Sequence, residues 1–280
     1  MPTFAATAPL DLVLDVPTAV VHLIASDRED AVVTVLPSDP DRSGSVRAAE
    51  EIRVEHRDDT LTVTSPGAWK QYVRPFSAGT AQVTVELPTG SSVRGRAGSL
   101  LTEGTLGAVD ATLASGDARL AEVTRLALTV SAGSAVVDRI EGDVNVEVGA
   151  GSVRIGALRG EGGVRAANGT TIVDRVEGTL EITGAHADLT VGTLHGDLTA
   201  RTAHGSLRVD RIDAGSASLT TSFGSIEVGV PEGTAAHLDL ATEHGTARNL
   251  LTPADGPLEG WPTARIRAVT RFGDVLVRRP

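Results

Sequence analysis

The chain has 280 residues, with 25 Lys and Arg against 36 Asp and Glu, and a formal net charge of −11. That balance argues against nonspecific nucleic-acid binding and against attraction to anionic lipid, and the absence of cysteine excludes a disulfide framework or a thiolate metal site. Two Trp, one Tyr and four Phe are few for this length, which suits a narrow core filled by Val, Ile, Leu and Ala.

From the N-terminus, MPTFAATAPLDLVLDV lacks a basic start, an apolar run and a cleavage site, and no stretch of the chain is long and apolar enough to span a membrane. The expectation is an unexported, cytoplasmic protein without integral membrane contact. Residues 1–90 alternate with period two in LDLVLDV (10–16), AVVHLIAS (19–26), AVVTVLPS (31–38), TLTVTSP (60–66) and TAQVTVELP (80–88). Alternation of that period marks strands, because successive side chains point to opposite faces. SDPDRSG (38–44) reads as a polar loop. The segment GAWKQYVRPFSAG (67–79) concentrates Trp69, Tyr72 and Phe76, with Lys70 and Arg74 between them. Such a cluster is a binding candidate, since aromatics and Arg dominate interface hot spots; it reads equally well as a cap covering the apolar end of the first coil.

From residue 91 the chain repeats at about 18 residues, and a fixed period is the signature of stacked architectures. Glycines lead the units at Gly90, Gly107, Gly142, Gly160, Gly178, Gly196, Gly215 and Gly233, with Arg125 in the one gap. A second set falls half-way, at Gly98, Gly116, Gly133, Gly151, Gly169, Gly205 and Gly224. Between them apolar residues superpose: Val146, Val164, Ile182 and Ala200, then Ile155, Val173, Val191 and Val209. Units rich in Val, Thr and Gly, without a helical stripe, predict an all-β fold. We expect a right-handed parallel β-solenoid (β-helix) of about 18-residue coils, right-handed because parallel crossovers default to that hand. Irregular coils cap it at both ends. Residues 1–280 read as one domain: an irregular N-terminal section at 1–90, regular coils at 91–250, and a capping loop with a last coil at 251–280.

The coil pattern G-(D/T)-L-x-h-x-(T/A)-x-x-G-(S/D)-h-x-h, the early DDTLTV strand and the closing TRFGDVLV strand resemble the putative-adhesin family of bacterial β-strand-repeat proteins, a domain of unknown function. The resemblance spans roughly residues 10–280 and implies a parallel β-solenoid. A weaker similarity, in coil length, is to bactofilins, polymer-forming bacterial solenoids.

Equivalent residues of a solenoid form columns one strand spacing apart, so columns are where chemistry would assemble. Asp143 and Glu161 follow leading glycines on adjacent coils. Two close carboxylates suit acid/base work on a glycan; a Gly-Asp turn open to water is the structural alternative. Before the mid-unit glycine come Ala150, Asn168, His186, His204, Phe223, His244 and, in the last coil, Phe272. Two imidazoles without a further ligand are too few for a transition metal, so this column reads as stacked planar side chains at a corner. Outward Glu147 should lie beside Arg165, and Arg208 beside Glu227. No GxSxG, HExxH, P-loop or calcium-binding repeat occurs. Without a catalytic motif, metal site or cofactor site, the reading is a non-enzymatic structural or interaction protein, a rigid scaffold for a protein partner or for self-association. A polysaccharide-binding or polysaccharide-cleaving β-helix is the alternative, with glycan as the partner. Asp143 and Glu161 would cleave it, or Trp69 and Tyr72 would bind it.

Overall fold

The computed structural model describes residues 3–5, 9–65, 79–252 and 260–280, and the chain divides into two compact units, Met1–Glu141 and Gly142–Pro280. The sequence cluster Trp69, Lys70, Tyr72, Arg74 and Phe76 lies outside the described residues.

The first unit holds β1 (Thr3–Ala5), β2 (Asp11–Ser26), β3 (Asp30–Pro37), α1 (Ser43–Glu51), β4 (Arg53–Arg57), β5 (Thr60–Thr64), β6 (Ala81–Pro88), β7 (Ser92–Glu103), β8 (Thr105–Ser115), β9 (Ala118–Ala132) and β10 (Ala135–Ile140). Strands β7 to β10 pair in parallel at about 17 residues: Val93 beside Val109, Val109 beside Leu126, Leu120 beside Val137. Strand β2 lies against β7 with Leu12 on Val93, also parallel, and on its other side against β5 and β6. Beyond these the direction reverses. Antiparallel β4 lies on β5, and antiparallel β3 on β6, with β1 on β3.

Buried residues in these strands alternate with exposed or half-exposed ones, except at the end of β6, where Leu87 and Pro88 are both buried. In β2, Leu12, Leu14 and Val16 are buried while Asp11 is exposed. Three elements escaped the strand pattern. The helix α1 begins inside what reads as a polar loop, and SVRAAEE carries good helix formers but too few apolar residues to declare a stripe. Strand β4 has alternating burial from polar residues, RVEHR, and β1 is only three residues long.

The second unit holds β11 (Val144–His204), β12 (Leu207–Phe223), β13 (Ile226–Gly229), β14 (Ala235–His244), β15 (Ala247–Asn249), β16 (Thr263–Phe272) and β17 (Val275–Arg278). Strand β11 bends repeatedly without losing extended backbone, and its end pairs in parallel with β12, Leu189 beside Leu207 and Val191 beside Val209. The inward columns read from the sequence are buried: Val146, Val164, Ile182 and Ala200, with Ile155, Val173, Val191 and Val209.

The bends need glycine for a specific reason. Gly178 has φ 133°, and a Cβ there would sit 2.0 Å from the carbonyl oxygen of Gly160 on the coil beneath. The gap at Arg125 has the complementary explanation. Neither Gly107 nor Gly142, its neighbours in the series, has a positive φ, and Asp58 is the one non-glycine among the described residues that does. The backbone at Arg125 thus has no left-handed φ to exclude a side chain, whereas Gly107 is still required by close approach, since a Cβ there would sit 2.5 Å from the Gly90 carbonyl oxygen.

The last coil in sequence is not the last in space. Strand β16 pairs with β12 on one side and β14 on the other, and β17 likewise lies between β13 and β15. The expectation that residues 264–280 form the final coil is therefore corrected: among the described residues of this unit, β14 and β15 are outermost. Burial accounts for the order. The positions of Val275 and Val277 are taken in β15 by Ala247 and Asn249, which are exposed. Slotting the valine-bearing strand inward buries Val275 and Val277 completely and leaves the more polar coil at the edge.

Candidate functional site

The second unit gathers its unusual surface features around its C-terminal coils. A row of aromatic rings runs across them in spatial order: His186, His204, Phe223, Phe272, His244. Adjacent ring centroids are 4.9, 4.8, 4.9 and 4.6 Å apart, with interplanar angles of 2°, 4°, 3° and 18°. Parallel strand register imposes this face-to-face arrangement, for Phe223 lies beside Phe272 and His244 beside Phe272 in the strand pairings. The ring edges are in solvent: Phe223 and Phe272 remain 45% and 42% exposed. The corner stack of planar side chains expected at this column is what the structure contains.

Beneath the rings runs a column that sequence reading missed. Thr202, Thr221 and Thr270 are buried, and Thr242 is half-buried. The Thr221 hydroxyl donates to the Gly205 carbonyl oxygen at 3.0 Å, Thr270 to Gly224 at 3.0 Å, and Thr242 to Gly273 at 2.9 Å. Each threonine stands two residues before its ring; Thr221, Thr242 and Thr270 bond the glycine bend of the adjacent coil, whereas Thr202 donates to the carbonyl oxygens of Ala187 and His204, each at 3.2 Å. The signal is visible afterwards as T-x-(H/F)-G at Thr202–Gly205, Thr221–Gly224, Thr242–Gly245 and Thr270–Gly273.

The outward rows are closed by coil-to-coil ion pairs. Arg165 reaches Glu147 at 2.7 Å and Arg208 reaches Glu227 at 3.4 Å, the two pairs expected from the columns; Arg159 also reaches Glu177 at 2.9 Å. These are exposed pairs, each contributing about 0.2–1 kcal/mol. Aspartates at the bends act as latches between coils. Asp197 accepts from the Ser216 backbone N–H at 3.1 Å and its hydroxyl at 2.6 Å, and Asp188 accepts from the Ser206 N–H at 2.8 Å. In the first unit Asp117 accepts from both the Ser134 hydroxyl and its backbone N–H, and these two bonds hold its carboxyl below the usual range.

The carboxylates Asp143 and Glu161 do fall on adjacent coils. A Cβ on Gly160 would meet Gly142, and one on Gly162 would meet Val144, so the residues between them stand in register. Both are exposed, and neither lines the groove beside β14 or the cavity between β2, β7 and β8. Among the described residues no group of three or more His, Asp or Glu is placed to hold a metal ion, and no helix is long and apolar enough to cross a membrane.

The outermost coil, β14–β15, is where the stacking pattern stops. Its pairings among the described residues are with β16 and β17 alone, leaving the opposite backbone edge unpaired. Leu238 and Leu240, inward by alternation, are only half-buried, and Leu250 is 63% exposed. Beside this edge lies a half-open groove of 880 Å³, walled by β14, the start of β16 and the segments around Leu251 and Trp261.

The family model described as Toastrack DUF4097 matches residues 11–251. Among solved structures, the chain is similar to a putative adhesin from Parabacteroides merdae ATCC 43184 at 14% identity and a TM-score of 0.40, covering 100% of this chain and 95% of that one. A putative adhesin from Bacteroides fragilis NCTC 9343 is 12% identical with a TM-score of 0.31, covering 99% and 95%. A putative lipid binding protein from Parabacteroides distasonis ATCC 8503 is 13% identical with a TM-score of 0.36, covering 98% and 95%. No curated protein sequence matches the chain.

Proposed function

The chain belongs to the Toastrack DUF4097 family, and on that premise we propose that it is a non-enzymatic interaction scaffold that engages a partner at its outermost coil. The partner we assign first is a second copy of the chain. We take the coils to wind right-handed, the default for parallel crossovers, and residues 1–280 to act as one domain, following the repeat that runs through residues 91–233.

The observation that carries the reading is the edge of β14–β15. Inner strands β16 and β17 of the second unit are paired on both sides; this coil offers a row of backbone donors and acceptors that is unpaired among the described residues, above half-closed leucines. An unpaired edge of that kind is a template for strand addition, in which main-chain bonds give affinity and alternate side chains give specificity. The ring row supports the reading as well, since His244 stacks on Phe272 with one face and, among the described residues, no further ring covers the other.

The natural absence of cysteine makes a direct test simple. Asn249→Cys on exposed β15 should form an intermolecular disulfide under mild oxidation, whereas a control Glu161→Cys, exposed on an inner coil, should not. Equal cross-linking of the two variants, or none in either, counts against the edge as the working surface.

A further inference from the structure

Strand β14 carries a charge pattern that its neighbour β16 answers only in part. By alternation its outward row is His237, Asp239, Ala241 and Glu243, all exposed, while Leu238, Leu240 and Thr242 point inward and are half-buried. Two of the outward residues find arginines on β16: Asp239 lies 3.6 Å from Arg267, and Glu243 lies 3.6 Å from Arg271. Both distances are longer than a hydrogen bond, so each carboxylate keeps lone pairs for a second donor. At the remaining charged position the match fails. His237 stands beside Arg265, base against base, and neither makes a hydrogen bond or ion pair among the described residues.

The spacing of these residues is symmetric about Leu240. His237 and Glu243 stand three positions to either side of it, and Asp239 and Ala241 one position to either side. Consider β14 paired antiparallel with β14 of a second copy, the twofold axis passing at Leu240. His237 then lies opposite the partner's Glu243, and Glu243 opposite the partner's His237. Each Glu243 brings the carboxylate that the His237–Arg265 position lacks. Asp239 faces the partner's Ala241, meets no like charge directly opposite, and remains beside Arg267. On the inward row Leu240 lies on the partner's Leu240, and Leu238 on the partner's Thr242, which covers side chains that this edge leaves half-buried.

The adjacent registers do not work. An axis at Asp239 sets Asp239 opposite the partner's Asp239, and an axis at Ala241 sets Asp239 opposite the partner's Glu243. Like charges directly opposite one another destabilise a strand pair. An axis between two residues turns the partner's leucines to the solvent face.

Resting on the reading of β14–β15 as an edge used by a second copy, we propose that β14 is a self-complementary strand that closes a twofold dimer, with Leu240 at the axis and two His237–Glu243 pairs across it. The partner segment is β14 itself. Such an interface uses the same patch on both copies and is complete with two, so this edge makes dimers and not filaments.

The test is sedimentation velocity of the intact chain carrying charge swaps at these exposed positions. His237→Glu sets Glu opposite Glu and should weaken association roughly tenfold. His237→Glu combined with Glu243→His restores opposite charges across the axis and should recover the association, with unchanged circular dichroism in both variants. Because the chain has no cysteine, disulfides report the register. A mixture of Asp239→Cys and Ala241→Cys copies should cross-link far more than either variant alone, since Asp239 lies opposite the partner's Ala241. Cross-linking as abundant in either variant alone as in the mixture, a double swap no tighter than His237→Glu, or association that continues past the dimer would overturn the proposed pairing. A chain that associates but is indifferent to both swaps keeps the scaffold reading and loses this inference; a chain that stays monomeric throughout loses both.

Discussion

At the scale of single residues, the stack is held by groups that reach from one coil to the next. Gly178→Ala should destabilise the second unit by about 1–3 kcal/mol, because the bend holds a positive φ and a new methyl would press on the Gly160 carbonyl; chemical denaturation reads the loss directly. Thr221→Val keeps the shape of the side chain and removes the donor to the Gly205 carbonyl, which should cost about 1–2 kcal/mol in the same experiment. Asp117 gives the acid dependence. Its carboxyl is held below its usual value by the two bonds from Ser134, so its stabilising contribution is full above the unfolded aspartate range, near pH 4, and fades as pH falls through its lower native value. Asp117→Ala should therefore lower stability at pH 7 and shrink the loss of stability below about pH 4. An acid limb unchanged by the substitution would show that the latch does not form.

At the scale of elements, much was legible because the determinants are local and periodic. Leu12, Leu14, Val146 and Val209 declare strands by alternation, and their burial follows from it. The bends declare themselves by glycine, and the ring row follows from a column that the repeat period alone aligns. Three things were not legible, each for a physical reason. The position of β16–β17 between β13 and β15 depends on comparing the burial of two whole coils, Val275 and Val277 against Ala247 and Asn249. No repeat period contains that comparison. Helix α1 rests on α1–β3 and α1–β6 packing more than on its own weakly amphipathic sequence. The groove draws residues from around 235, 250, 261 and 279, brought together only by the out-of-order coil, so no spacing rule could assemble it. The element-level prediction concerns the interior. Val146 is fully buried, and Val146→Asp would place an unpaired charge in a dry column. It should cost more than about 4 kcal/mol and leave the chain insoluble or unfolded, as read by solubility and circular dichroism.

At the scale of the whole molecule, family membership joins a sequence repeat to a β-rich fold in which several outward arginines are met by carboxylates on neighbouring coils. Those pairs leave less for a partner along the coils that carry them. In the second unit, the edge we propose as the partner surface brings together the β14–β15 backbone, half-buried Leu238 and Leu240, exposed Leu250, and His244 stacked on Phe272. Sedimentation velocity from about 1 to 100 μM, a range chosen to span micromolar association, tests this most directly. The predicted result is a sedimentation coefficient that rises with concentration, and a Leu250→Lys variant that weakens the association at least tenfold without shifting the thermal midpoint, because Leu250 is already exposed. A single species of monomer mass across the whole range would contradict a self-associating scaffold.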